Sequence, residues 1–180
     1  VLDRTTPVLS CSSGKLLEFQ DERGAITTYS FTATDLCSAV NVVATPASGS
    51  VFPIGTTPVS AQATDGSGNS AQCAFTVTVL GAQGVKSNVL AELIALRTSA
   101  NPGQPFAQKF DHAIQHLADS LNPAYWIDQT HLQPKDGNRA MNEEKLAAHK
   151  LWEIMDSKKC PVDRAVLQGF IDRIVKCDRL

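Results

Sequence analysis

The chain has 180 residues, and its 16 Lys and Arg nearly balance its 18 Asp and Glu, giving a net charge of −2. This length allows one or two domains. A near-neutral charge without a basic stripe argues against nucleic acid as the main partner. The longest apolar runs are too short for a membrane-spanning helix, so we expect no membrane span.

The two parts of the sequence differ in composition. Residues 1–80 contain 22 Ser and Thr, whereas residues 81–180 contain 6 and hold all four His and both Trp. Hydroxyl-rich, charge-poor sequence favours strands, and sequence rich in Ala, Leu, Lys and Glu favours helices. We therefore predict a β-domain over residues 1–80, a short glycine-bearing linker over 81–86, and a helical domain over 87–180.

Apolar residues recur at every second position in four segments of the first part, at 29–34, 40–44, 59–64 and 73–79. This period of two is typical of strands with one buried face in an antiparallel sheet. Turns rich in Gly, Pro and Asn separate these segments, and the spacing of roughly 8–12 residues from one turn to the next indicates a sandwich. The predicted fold of residues 1–80 is an antiparallel β-sandwich.

Four amphipathic helices are predicted in the second part. Ser87 is expected to cap the first, the second follows Pro105, and Pro161 suits the first turn of the fourth. Short connections between such helices predict an antiparallel four-helix bundle. The residues expected to face its core include Leu93, Ile94, Leu96, Phe110, Ile114, Leu117, Leu146, Leu151, Ile154, Met155, Val166, Phe170, Ile174 and Cys177.

The oxygen-rich turn at residues 65–69 is a candidate calcium site, because hard cations take oxygen ligands. It lacks the repeated acids and the distal Glu of an EF-hand loop. Gly and Asn also tolerate the positive φ of a tight strand connection. We favour a turn without a metal.

A second candidate metal site is formed by His112 and His116, which are spaced to share one face of a helix; Asp111 or another acid would have to complete the ligand set. The Glu of the metalloprotease motif is absent, and both His flank an apolar face where polar residues are ordinary. We favour a structural role over a metal hydrolase.

Trp126, Asp128 and His131 form a third polar cluster, within a loop bounded by Pro123 and Pro134. A large amphipathic Trp suits the end of a core, and His131 can donate to Asp128 and fix the loop. No nucleophile-elbow sequence is present for Ser/His/Asp catalysis. We predict no catalytic, cofactor or metal residues, and a protein that is not an enzyme.

Several motifs of the first part resemble the hyalin-repeat (HYR) module. They are the opening Asp3-Arg4-Thr5-Thr6-Pro7-Val8, the run at 46–57, the Ala-Thr-Asp-Gly-Ser-Gly-Asn turn at 63–69, and the strand at 73–79. The resemblance covers about residues 3–80. It implies an immunoglobulin-like fold and a role in adhesion or modular architecture, with no catalytic residues.

The five cysteines are interpreted through this resemblance. Cys-rich versions of the module place cysteines where this chain has Ala44 and Ala61, while Cys11 and Cys73 remain at the first and last strands. The resemblance therefore implies a disulfide between Cys11 and Cys73 and leaves Cys37 as an unpaired thiol. Pairing of Cys37 with Cys11 remains an alternative.

The other two cysteines flank the predicted fourth helix. Seventeen residues of helix separate Cys160 from Cys177 by roughly 25 Å, whereas a disulfide needs Cα atoms within about 7 Å. These two cannot pair with each other, and the sequence leaves their fate open. The helical part is similar in pattern to the FIMAH-type domain of secreted bacterial proteins, through residues 93–96, 106–117 and 170–175, which implies no activity.

The function expected from these features is a non-enzymatic structural and adhesion module pair. We expect it to be an extracellular segment of a larger secreted or cell-surface protein. The absence of an N-x-S/T glycosylation site favours a bacterial source. Its partner would be a protein or a surface polymer. Two alternatives remain: a subunit of a self-associating surface filament or layer, or the accessory region of a secreted hydrolase.

Overall fold

A computed structural model of the chain describes residues 3–178. The chain divides into two compact units, Val1–Leu80 and Gly81–Leu180. The first is built from strands and the second from four helices, which confirms the predicted β-then-α layout.

Residues 3–80 of the first unit form eight strands in three sheets. A four-stranded sheet has the order β2-β8-β7-β5, and two-stranded sheets pair β1 with β4 and β3 with β6. The strands are β1 (Val8–Ser10), β2 (Lys15–Glu18), β3 (Ala25–Ile26), β4 (Thr32–Thr34), β5 (Asn41–Thr45), β6 (Val51–Phe52), β7 (Gly55–Thr64) and β8 (Ser70–Leu80).

The alternation of apolar residues along β7 and β8 determines which face of the sheet is buried. Val59, Ala61 and Ala63 of β7 are at most 3% exposed, and Phe75, Val77 and Val79 of β8 are buried beside them. The β7–β8 hairpin therefore presents one continuous apolar face to the core. Edge-to-face aromatic contacts extend that core through Tyr29, Phe31, Phe52 and Phe75.

One pairing differs from the predicted antiparallel sandwich. β2 runs parallel to β8, with Lys15 opposite Val77 and Glu18 opposite Leu80. β2, near the start of the unit, thus lies beside β8, the last strand of the unit. Parallel partners need a long connection, and here the chain builds β3 to β7 between the two.

The second unit consists of α1 (Ala82–Ala100), α2 (Phe106–Ser120), a short 3-10 turn at Pro123–Tyr125, α3 (Gly137–Met155) and α4 (Arg164–Cys177). α1 packs against α2 and α4, and α3 packs against the same two helices. The centre is filled by fully buried side chains, including Val85, Val89, Leu93, Phe110, Leu117, Leu151, Ile154 and Leu167.

The predicted linker at 81–86 is wrong, because α1 begins at Ala82 with Gly81 as its N-cap residue. Ala82, Val85 and Val89 share one helix face, so the apolar spacing continues upstream of the predicted start. Ser87 does not cap the helix. Its hydroxyl donates to the carbonyl of Gln83, one turn back.

A few other helix details differ from the sequence prediction. Ile94, Leu146 and Val166 were expected in the core but are 46%, 42% and 43% exposed. Each lies at the margin of an apolar stripe whose centre is occupied by other side chains. The fourth helix begins at Arg164, where the Asp163 carboxylate accepts from the backbone N–H of Ala165, so Pro161 precedes the helix.

Candidate functional sites

A disulfide joins Cys11, just after β1, to Cys73 in β8, with a Cα–Cα distance of 5.9 Å. The bridge closes a loop with a sequence separation of 62. Ala44 and Ala61, the two positions at which the resemblance implies a further cysteine pair in Cys-rich modules, lie directly opposite each other in the β5–β7 ladder. The two alanines therefore occupy one cross-strand position, next to the bridge that the chain retains.

Cys37 is exposed and has no disulfide partner in the structure, so it does not pair with Cys11. The charge of Asp3 is the largest cause that raises the pKa of its thiol, and the charge of Asp35 adds to the rise. A thiol surrounded by carboxylates stays protonated and is a poor nucleophile. Asp35 also shapes the local turn, because its Oδ1 accepts the backbone N–H groups of Cys37 and Ser38.

The turn at residues 65–69 uses its carboxylate internally. Asp65 Oδ1 accepts from the backbone N–H groups of Ser67 and Asn69, and Oδ2 accepts from the Asn69 side-chain amide at 2.8 Å. Donation by the Asn69 side chain is the largest cause that lowers the pKa of Asp65. Both carboxylate oxygens of Asp65 thus accept hydrogen bonds from within the turn.

The candidate ligands on α2 have separate partners. Asp111 pairs with Arg97 at 3.0 Å, and His116 Nδ1 lies 2.6 Å from Glu143 Oε2 on α3. His112 is exposed. Within residues 3–178, the one group of three acidic, His or Cys side chains close enough to share an ion is Asp3, Asp35 and Cys37, and it does not involve α2. The structure does not bring the three residues together as a metal centre.

Hydrogen bonds fix the loop that contains Trp126, Asp128 and His131. Trp126 is 6% exposed and its indole Nε1 donates to the carbonyl oxygen of Ser120 at 2.9 Å. Asp128 Oδ1 accepts from the backbone N–H groups of Thr130 and His131, while His131 Nδ1 lies 2.8 Å from Asp128 Oδ2. These bonds hold the pKa of Asp128 well below its usual range, the Thr130 N–H contributing most.

A buried ion pair in the second unit was missed by the sequence reasoning. Lys86 of α1 donates to Glu144 of α3, and both side chains are only 1% exposed. The Lys86 ammonium also lies 4.3 Å from the centroid of the Trp126 ring, a cation–π distance. The burial of each side chain could have been predicted from the helical spacing. Lys86 is in phase with Val89 on one apolar stripe, and Glu144 is in phase with Leu151 on another.

Glu144 has an unusual electrostatic environment. Burial is the main cause that raises its pKa to about 8, and the carboxyl of Asp178 adds to the rise, against the opposing effect of Lys86. Its Oε1 accepts from Lys86. Its Oε2 is buried without a hydrogen-bond donor from the described part of the chain.

Comparison with known proteins identifies the first unit. The family model for the HYR domain matches residues 2–79. No curated protein matches the chain. The FIMAH-type resemblance of the second unit is consistent with its four helices and stays a prediction.

HYR domains are non-catalytic modules that occur in extracellular proteins. None of the helices formed by residues 3–178 combines the length and the apolar character needed to cross a bilayer. The strand pattern and the disulfide agree with the family match, and residues 2–79 of this chain are therefore similar to the HYR domain.

Proposed function

We propose that the chain is a non-enzymatic extracellular structural and adhesion module pair. The observation that carries this proposal is the HYR domain with its internal disulfide. The family is associated with extracellular adhesion-like modules, and disulfides persist in oxidising compartments. The partner would be a protein or a surface polymer.

The position of the bridge suits a module that transmits tension along the chain. A pull that enters the first unit reaches Cys11 just after β1 and crosses the disulfide to Cys73, seven residues before the end of β8. The segment between the two cysteines is then shielded from extension. At about 3.5 Å per residue, a separation of 62 corresponds to roughly 200 Å of chain that cannot be drawn out.

Without the disulfide, the parallel β2–β8 pair would carry the tension instead, because β2 lies inside the segment that the intact bridge shields. Tension along the chain would enter β2 at Lys15 and leave β8 at Leu80, which are at opposite ends of their shared ladder. Pulling parallel strands from opposite ends loads all their hydrogen bonds at once, whereas pulling from one end breaks them in turn. If the disulfide is absent, this pair resists separation of the first and last parts of the unit.

Single-molecule force extension of the full chain tests the structural role. The HYR unit should unfold at a higher force than the helical unit in the same trace. Its gain in length should be about 200 Å shorter in oxidised protein than in a C11A/C73A variant. A C37A variant, which keeps the bridge, is the matched control.

Two results would refute the load-bearing role: unfolding of the HYR unit at a lower force than the helices, or the same length gain with and without the bridge. Either would show that the chain separates without loading these contacts. An adhesive role alone would then remain, to be tested by retention of coated beads on immobilised proteins and polymers.

An open sheet edge supports self-association as a second candidate function. In the described part of the unit β5 pairs only with β7, and Val43 of β5 is 61% exposed. An exposed edge strand can accept a strand from another chain. Light scattering should then show concentration-dependent assembly that V43K abolishes, and non-reducing electrophoresis should show whether Cys37 links chains. A strictly monomeric wild type would exclude the filament.

A further inference from the structure

The β5 edge of the four-stranded sheet lacks the features that keep edge strands from pairing. Such features are Lys or Pro within the strand, charged side chains that point inward, and bulges. β5 has the sequence Asn-Val-Val-Ala-Thr and contains no charged residue and no Pro. Its register with β7 runs without a break from Asn41 opposite Thr64 to Thr45 opposite Ser60, so this ladder has no bulge. β5 is therefore a regular, uncharged edge.

The opposite edge of the same sheet is formed by β2 and differs in charge. β2 has four residues, with Lys15 at its first position and Glu18 at its last. The Lys15 ammonium donates to the carbonyl oxygen of Thr28 at 2.6 Å. Short length and charged side chains are common protections of an edge strand. Of the two edges of this sheet, β5 is the one open to a further strand.

β5 also leaves the apolar face of its sheet incompletely covered. Ala61 and Ala63 of β7 face inward and are at most 3% exposed, whereas Val42 and Ala44, directly opposite them on β5, are only half-buried. On the outer face, Val43 at the middle of the strand is 61% exposed. A strand added beside β5 would cover apolar side chains on both faces of the sheet.

We propose that β5 pairs with β5 of a second copy of this chain, antiparallel and about a two-fold axis at Val43. This pairing rests on the self-association proposed above as the second candidate function, and it assigns the partner strand, the register and the symmetry. Val43 then lies opposite its own counterpart, Val42 opposite Ala44 of the second copy, and Asn41 opposite Thr45. Two four-stranded sheets thereby become one continuous sheet.

Two requirements select this register. Directly opposite residues of an antiparallel pair point to the same face, so inner residues of one copy must oppose inner residues of the other. A shift of one residue would place Val42 opposite Val43 and break that match. A shift of two residues would keep the faces matched but leave strand residues without a partner. Pairing centred on Val43 matches the faces and uses all five residues of β5.

The charge of this edge suits a second copy of the chain. The neighbours of β5 on the outer face are Ser60, Gln62 and Thr64 of β7, which are uncharged like β5 itself. Two copies therefore meet without like charges across the axis, which would destabilise the pair. The edge has no charged group that would select a charged peptide, whereas β5 itself supplies an uncharged strand with β-branched side chains, which suit a sheet.

Cysteine cross-linking of the full chain tests the register. The background is C37A/C160A, which removes the exposed Cys37 and the partly exposed Cys160 and keeps the Cys11–Cys73 bridge. This background should give no disulfide-linked dimer by non-reducing electrophoresis after mild oxidation. Each added cysteine then reports on one position of β5.

V43C should form at least tenfold more linked dimer than N41C or T45C. Directly opposite residues of an antiparallel pair have Cα atoms about 4.5–5.5 Å apart, within the range of a disulfide. The proposed register separates position 41 from its own counterpart by four residues along the strand, roughly 13 Å. A mixture of N41C and T45C should link, because these positions are opposite. Equal linking of all single variants, or no linking in V43C or in the mixture, would overturn the register.

A matched pair of charge variants tests the surface without added cysteines. V43K places two ammonium groups opposite each other and should weaken association at least tenfold, measured by light scattering in the same background. Q62K adds the same charge on the same face, but its counterpart lies three strand spacings away, roughly 14 Å, where salt screens it. Q62K should leave association within twofold of the background, and equal weakening by both variants would overturn the site.

The mass in solution separates failure of this pairing from failure of self-association. The mass should rise with concentration and level off at twice that of the chain. A strictly monomeric protein would refute both, and would leave a strand from another protein as the occupant of the edge. Growth beyond two copies, or association without cross-linking of V43C, would refute only the two-fold pairing and would place self-association on another surface.

Discussion

Removing the Cys11–Cys73 bridge with C11A/C73A should destabilise the HYR unit selectively. The bridge closes a loop with a sequence separation of 62. In the chain-entropy model, a loop of this length corresponds to a loss of about 4 kcal/mol when the unfolded chain is no longer constrained. Both cysteines are only half-buried, so their truncation to Ala should add little through lost packing.

Amide hydrogen exchange of the full chain, read on peptides from each unit, measures this loss. The most protected amides of β7 and β8 report the free energy of opening of the HYR unit. A loss of about 4 kcal/mol corresponds to about thousandfold faster exchange there. Peptides from α1 to α4 should be unchanged, and C37A should leave both units unchanged because Cys37 forms no bridge.

Two outcomes would refute this reasoning. Acceleration of less than tenfold in β7 and β8 would mean that the bridge does not restrict the unfolded chain as calculated. An equal acceleration in the helices would mean that the two units unfold together, so that the effect could not be assigned to the HYR unit.

Three further predictions follow from single contacts. Urea unfolding should show that G24A destabilises the HYR unit more than G49A does. Both glycines have positive φ, so the backbone strain of the two variants is matched. A Cβ at Gly24 would lie 1.9 Å from a backbone oxygen, whereas a Cβ at Gly49 meets nothing within 4 Å. K86M should cost about 3 kcal/mol at pH 9 and less at pH 6, where Glu144 takes up a proton; equal losses at both pH values would contradict this. Because folding lowers the pKa of Asp65, its contribution is present above the unfolded pKa and is lost as pH falls below about 4. Acid titration should therefore show a shallower loss of stability in D65N than in wild type, and identical slopes would exclude the effect.

Local sequence patterns predicted the parts of the fold that depend on short-range spacing. The alternation of Val59, Ala61 and Ala63 predicts a strand with one buried face, and the structure buries all three. The spacing of Phe110 and Leu117 likewise predicts the inner face of α2. Predictions of this kind hold in the folded protein because the period at which side chains return to one face is set by the backbone geometry of a strand or helix.

The start of α1 was mispredicted for a local reason. Gly81 and Gly84 suggested a linker, since glycine is unfavourable inside a helix by roughly 1 kcal/mol. Burial of Ala82 and Val85 in the core outweighs that preference. Propensity therefore gave the wrong boundary where tertiary packing supplied the larger free energy.

Lys86 and Glu144 show what sequence could not decide. Each is a charged residue on an otherwise apolar helix stripe, and the two are 58 positions apart. Only the packing of α1 against the rest of its unit brings the ammonium to the carboxylate and encloses both beneath Trp126. The parallel β2–β8 pair is a similar case, because its strands are distant in sequence.

The sequence by itself determined the strand and helix classes, the division near residue 80 and, through its motifs, the similarity of residues 2–79 to the HYR domain. These features follow from local periodicity and short-range turn chemistry. The tertiary structure decided the sheet order, the parallel pairing and the burial of Lys86 against Glu144. Those depend on which distant surfaces meet, and contacts between residues far apart in sequence leave no local pattern from which to infer them.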